Sequence, residues 1–137
     1  MKKEILLALA VTFLSCGYKA PPPGKPDWNP PSVKILSPRD GDTIREDTPV
    51  QVFLQDESRI VKVILIVSGK PVLQDSVEPF ELTLFADSIK DTLAEIKVRA
   101  FDVWDNMGES APVKVFKFLP QEESNDGQKK GIETEKE

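Results

Sequence analysis

The sequence predicts an all-β domain, an antiparallel β-sandwich of about seven strands across residues 32–119. Three observations predict it. Apolar and polar residues alternate with the period of two that a half-buried strand demands, as in Val50, Val52, Leu54 and again in Ile96, Val98, Ala100. Turn-forming clusters such as Pro38-Arg39-Asp40-Gly41-Asp42 and Asp56-Glu57-Ser58 separate the alternating runs. The gaps between runs are also too short for the helical crossovers that a parallel sheet requires.

The strands follow in order. Ser32 to Ser37 alternates through Val33 and Ile35, and the Pro38–Asp42 cluster ends it. Val50 to Gln55 is the second run. Ile60 to Val67 is a dense β-branched stretch, which predicts a strand covered on both faces. Ser68-Gly69-Lys70 reads as a hairpin turn into Val72 and Leu73. Phe80, Leu82 and Leu84 form another alternating run. Asp87 to Leu93 is the one stretch of helical character, enough for about one turn. Glu95 to Ala100 is next, then a turn-rich segment from Asp102 to Glu109, and a closing run from Val113 to Phe118. A domain of about 85 residues can hold a single core without disulfides.

The flanks have a different composition. Met1-Lys2-Lys3 is basic, and Ile5 to Leu14 is apolar apart from Thr12. Ten helical residues reach ~15 Å, half of a ~30 Å hydrocarbon layer, so the segment is too short to span a membrane stably. Residues 1–15 are therefore expected to be a signal peptide. Residues 16–31 are expected to be a linker; from Gly17 to Pro31 six of fifteen residues are Pro, which denies the backbone both helix and ladder. Trp28 within it either docks on the domain or stands exposed. Residues 120–137 are expected to be a disordered acidic tail. From Gln121 onward there are six acidic and three basic residues and only one large aliphatic, Ile132.

Absences exclude several functions. The 137-residue chain has no His and one Cys, so an internal disulfide, a Cys/His zinc site and a His-activated nucleophile are all ruled out. The net charge is −5 with no basic patch, so no nucleic acid is expected as a partner.

Two segments resemble known families. Phe13-Leu14-Ser15-Cys16-Gly17 resembles the bacterial lipoprotein attachment site, in which Cys16 would become the lipid-bearing first residue of the mature chain. That resemblance implies a cell-envelope protein whose partner is the membrane, anchored by diacylglycerol and a further acyl chain. Gly17 implies the outer membrane in an organism that has one. Pro31-x-Val33-x-Ile35-x-Ser37-Pro38-x-x-Gly41, Glu78-Pro79-Phe80 and Ile96-x-Val98-x-Ala100-x-Asp102-x-x-Asp105-Asn106-x-Gly108-x-Ser110 are similar to bacterial immunoglobulin-like domains. This second resemblance implies an immunoglobulin-like sandwich.

Candidate site residues lie in the loops. Trp104, Asp105 and Asn106 are a candidate binding surface, since a large aromatic at a loop tip can anchor a sugar or protein; Trp104 can equally cap the core. Asp56, Glu57, Asp102 and Asp105 offer the oxygen ligands of a weak calcium site. The competing reading makes them turn-capping side chains, and no cofactor is then required. Gly41 and Gly108 are expected to supply backbone angles closed to other residues, and Arg39, Asp40 and Asp42 to be solvated. The expected function is a non-catalytic binding or adhesion module for an unidentified envelope protein or polysaccharide. The alternative is a structural spacer or assembly subunit of an envelope complex. An enzyme would have to rely on paired carboxylates alone.

Overall fold

The computed structural model describes residues 20, 24 and 26–121. The signal segment, Cys16, half of the linker and nearly all of the acidic tail lie outside the described residues. Among the described residues, no helix is long and apolar enough to cross a membrane.

Among the described residues nine strands form: β1 (Ser32–Ser37), β2 (Thr43–Ile44), β3 (Thr48–Gln55), β4 (Ile60–Val67), β5 (Lys70–Asp75), β6 (Leu82–Leu84), β7 (Leu93–Asp102), β8 (Met107–Glu109) and β9 (Val113–Lys117). Helix is expected over Asp87 to Leu93; the structure has only a single 3-10 turn at Ala86–Ser88, and Leu93 already begins β7. One sheet has the order β1-β3-β6. The other runs β2-β9-β7-β4-β5, with β8 also paired to β7. All pairings are antiparallel except β2 with β9. Seven strands match the expected alternating runs. The other two, β2 and β8, are two and three residues long, too short to show a period.

Strand periodicity explains the core. In β7, Ala94, Ile96, Val98, Ala100 and Asp102 are buried, and the residues between them face outward. Val63, Leu65 and Val67 of β4 and Val115 of β9 join them from the larger sheet. Ile35, Val50, Leu82 and Leu84 face them from the smaller one. Leu65, Leu84, Ile89 and Ile96 are among the largest wholly buried side chains. Each contributes about 1.5–3 kcal/mol by leaving water. Ile66 is buried on the opposite face of β4, in keeping with the apolar run from Val63 to Val67.

Three turns show how local chemistry sets register. Ser68 (φ 47°) and Gly69 (φ 79°) both take positive φ, the signature of a two-residue hairpin turn, and place β5 beside β4. Gly41 has φ 89°, as its place in the turn cluster predicts. Asp40 and Asp42, expected to be merely solvated, hold that turn. Asp42 Oδ2 accepts the Arg39 N–H (2.7 Å), and Asp40 Oδ1 accepts the Lys114 N–H (2.8 Å). With the Gly41 N–H donating to Lys114 O (2.8 Å), the turn is fastened to β9 and the chain passes from one sheet to the other.

Strand β7 changes partner along its length. It pairs with β9 from Leu93 to Ile96 and with β8 from Arg99 to Phe101. Ser110 fills the gap between them. Its N–H donates to Val98 O (2.9 Å), and its hydroxyl oxygen accepts the Val98 N–H (3.0 Å). The hydroxyl in turn donates to Ala111 O (3.0 Å). On the outer face Arg99 and Lys97 both reach Glu109.

Candidate functional site

The site grows from a carboxylate at a core position. The alternation of β7 points Asp102 inward where an aliphatic residue would ordinarily sit, and it is 0% exposed. A buried carboxylate must be hydrogen-bonded to be tolerated. The following turn supplies the donors. Asp102 Oδ1 accepts the N–H groups of Trp104 (2.7 Å) and Asn106 (2.9 Å), and Oδ2 accepts from Asn106 Nδ2 (2.7 Å). Asp105, at φ 64°, lets the backbone wrap round the carboxylate. The Val103 N–H donates to Arg59 O (3.0 Å), which ties this turn to the β3–β4 loop.

The end of the proline-rich segment lies against the same place. Asn106 Nδ2 also donates to Asp27 O (2.8 Å), a contact between residues 79 apart in sequence. Asp27 Oδ1 accepts the Asn29 N–H (2.9 Å), and Oδ2 accepts the Ser58 hydroxyl (2.7 Å). The Asn29 N–H first, and the Ser58 hydroxyl second, hold the Asp27 carboxyl below its ordinary value. Farther along, Pro31 crosses directly over β8. A Cβ added to Gly108 would stand 1.8 Å from Pro31 O. Gly108 is therefore required for close approach of two backbones. It is an ordinary strand residue in φ, contrary to the expectation of a special backbone angle.

Asp56 completes the cluster. One carboxylate oxygen from each of Asp27, Asp56 and Asp102 lies within 4.8 Å of the other two. Three separate segments meet here: the proline-rich stretch, the β3–β4 loop and the end of β7. Asp56 Oδ2 is shut off from solvent and receives no hydrogen bond. Leaving such an oxygen unbonded costs about 1–3 kcal/mol, more for a charged group. No Lys or Arg compensates, because the ion pairs among the described residues all centre on Lys97 and Arg99.

Of the four residues expected as calcium ligands, Asp56 and Asp102 come together, while Glu57 and Asp105 are exposed and outside the cluster. Asp27 was not foreseen. Its only local sign is the Asp-x-Asn pattern of a side-chain-capped turn among prolines. Within the candidate surface Trp104, Asp105 and Asn106, the Asn106 side chain is spent on Asp102 and Asp27, and Trp104 is half-buried. The exposed aromatic is Trp28 instead, at 84%. It borders a recess of about 390 Å³ formed with Asp27, Glu57 and Ser58. A larger groove of about 760 Å³ lies beside it, lined in part by Leu54, Asp56, Arg59, Pro79 and Phe80.

Comparison with known proteins places this architecture. Residues 31–98 match the family model described as "Bacterial Ig domain". No curated protein matches the chain. Among solved structures, the chain is similar to the fibronectin(III)-like modules of Clostridium thermocellum CbhA, with 17% identity and a TM-score of 0.56 over 63% of this chain and 94% of that one. It also resembles the endo-beta-1,4-mannanase of Thermotoga petrophila, with 13% identity and a TM-score of 0.53. That match covers 69% of this chain but only 21% of the mannanase. Both likenesses concern the fold. An Ig-like sandwich of this kind is compatible with a binding or a spacer module. The match over 31–98, the two-sheet sandwich and the likeness to the fibronectin(III)-like modules agree: residues 31–98 belong to a domain of the bacterial Ig family.

Proposed function

We propose that the chain is an envelope lipoprotein, anchored through lipid on Cys16, whose Ig-like domain is a non-catalytic module that binds a protein or polysaccharide. The observation that supports this most is the docking of the proline-rich segment on the sandwich. Asp27, Asn106 and the Pro31–Gly108 crossing fasten residues 27–31 to the domain, so a tether attached upstream would hold the loops in a defined direction. Rigid presentation of this kind lowers the ordering cost of binding.

Two physical points favour this reading over its rivals. The outer strand β5 carries Lys70 and Pro71, and strands β2 and β6 have only two and three residues. These three edges resist strand pairing with another chain and leave β1, six residues long, as the edge for sheet extension to use, which weighs against an assembly subunit joined that way. A spacer remains the alternative and shares the anchor. The carboxylate cluster makes a poor catalyst. Asp102 is wholly buried with both oxygens bonded to its own turn, so it cannot meet a substrate.

The anchor is tested by mass spectrometry of the mature N-terminus from the native host. An acylated Cys16 as first residue is the expected result, and Cys16→Ala should release the protein from the membrane fraction. A mature chain that keeps residues 1–15, or begins elsewhere with a free thiol, would reject it. For the binding module, crosslinked partners should be lost on Trp28→Ala with the melting temperature unchanged.

A further inference from the structure

We infer that Asp27, Asp56 and Asp102 form a calcium site that locks the proline-rich segment onto the sandwich. Two independent observations carry this. The first is the convergence of three carboxylate oxygens within 4.8 Å of one another, with no cation from the protein paired to any of them. Like charges at this distance repel unless a cation sits between them. The second is Asp56 Oδ2, a carboxylate oxygen sealed from water and bonded to nothing, in a structure where the other two carboxylates are well bonded.

The spacing suits Ca²⁺. Bonds of about 2.3–2.6 Å put two ligands of one ion at most about 5 Å apart, and the three oxygens fall inside that limit. The donor set is all oxygen, as Ca²⁺ prefers, and three carboxylates with water can supply the six to eight ligands it needs. Mg²⁺ demands near-ideal octahedral geometry and gives up its water reluctantly, so a site assembled from three loops suits it less.

The consequence follows from where the ligands sit. Asp27 comes from the segment before β1, Asp56 from the β3–β4 loop and Asp102 from the end of β7. One ion would bind all three. Because calcium binds the docked arrangement and not the undocked one, it shifts the equilibrium toward a fixed tether by mass action. Calcium then sets the stiffness of the joint between anchor and domain.

Both tryptophans of the chain report on the site. Trp28 follows Asp27 directly, and the Trp104 N–H donates to Asp102. The experiment uses the detergent-purified full-length chain. Tryptophan fluorescence and the melting temperature are followed as CaCl₂ rises to about 10 mM, beyond the ~10⁻⁴–10⁻³ M range of extracellular calcium modules. The expected result is a saturable fluorescence change and a raised melting temperature, both reversed by chelator. Asp56→Asn should abolish both responses and raise the calcium-free melting temperature, because it removes one of three mutually repelling charges and Asp56 makes no hydrogen bond that the fold requires. Should that variant misfold, Asp27→Asn serves the same purpose. Three results would overturn the inference: no calcium response in the parent chain, a full response in Asp56→Asn, or an equal response to magnesium at the same concentration.

Discussion

Replacing Gly108 by Ala tests whether the proline-rich segment is part of the folded domain. The added Cβ would lie 1.8 Å from Pro31 O, 2.8 Å from Pro31 C and 3.3 Å from Pro31 Cα. All three are backbone atoms, so no side chain can swing aside, and the segment must lift from β8. Lifting breaks the Asn106–Asp27 and Ser58–Asp27 hydrogen bonds and exposes the buried Pro31. Two hydrogen bonds at about 0.5–1.5 kcal/mol each, with the lost packing, give a cost of about 2–4 kcal/mol. In a domain of this size that lowers the melting temperature by roughly 10–20 °C. Urea denaturation followed by tryptophan fluorescence measures the loss directly. The cost must also depend on Pro31. In a chain beginning at Ser32 the same substitution should be nearly neutral, since the clashing backbone is gone. A full-length variant within about 0.5 kcal/mol of the parent would refute the docked segment.

Two further predictions concern stability. Ser110→Ala leaves the Val98 N–H without its partner at the point where β7 changes neighbours, and should cost about 1–3 kcal/mol by denaturant midpoint. Lowering the pH should weaken the fold through Asp75 and Glu109. The N–H groups of Glu81 and then Val77 hold the Asp75 carboxyl below its ordinary value, and Arg99 does the same for Glu109 ahead of Lys97. With folded values depressed, the unfolded chain binds protons first. The contribution is therefore complete above the ordinary carboxylate range near ~4 and is lost as the pH falls through the folded values below it. Chemical denaturation across that range should show a falling midpoint, and Asp75→Asn should flatten the slope; an unchanged slope would count against this origin.

Much of the fold was legible because strand burial has a period of two. Val50, Ile96, Val98 and Ala100 announced their faces without any knowledge of their neighbours, and Ser68-Gly69 announced its hairpin. Strands β2 and β8 were not legible. Each is held by its partner, β9 or β7, and two or three residues carry no period of their own. The site was half legible. Asp56 and Asp102 stood out as loop carboxylates, but so did Glu57 and Asp105, and sequence offers no distance with which to separate them. Trp104 was the candidate aromatic for a loop tip, yet the turn that wraps Asp102 half-buries it and Trp28 is left exposed.

The sequence by itself determined the all-β class, the inward and outward faces of the long strands, the turn at Gly41 and the lack of any imidazole or second thiol within the 137 residues. These are local properties, set by side-chain alternation, backbone angles and the residue types present. Tertiary structure alone decided that Asp27 joins Asp56 and Asp102, that Gly108 is needed so that Pro31 can cross it, and that Ser110 completes a ladder between two strands. Each of these depends on the close approach of segments remote in sequence. Such an approach is governed by how the two sheets pack, and no single stretch of the chain encodes it.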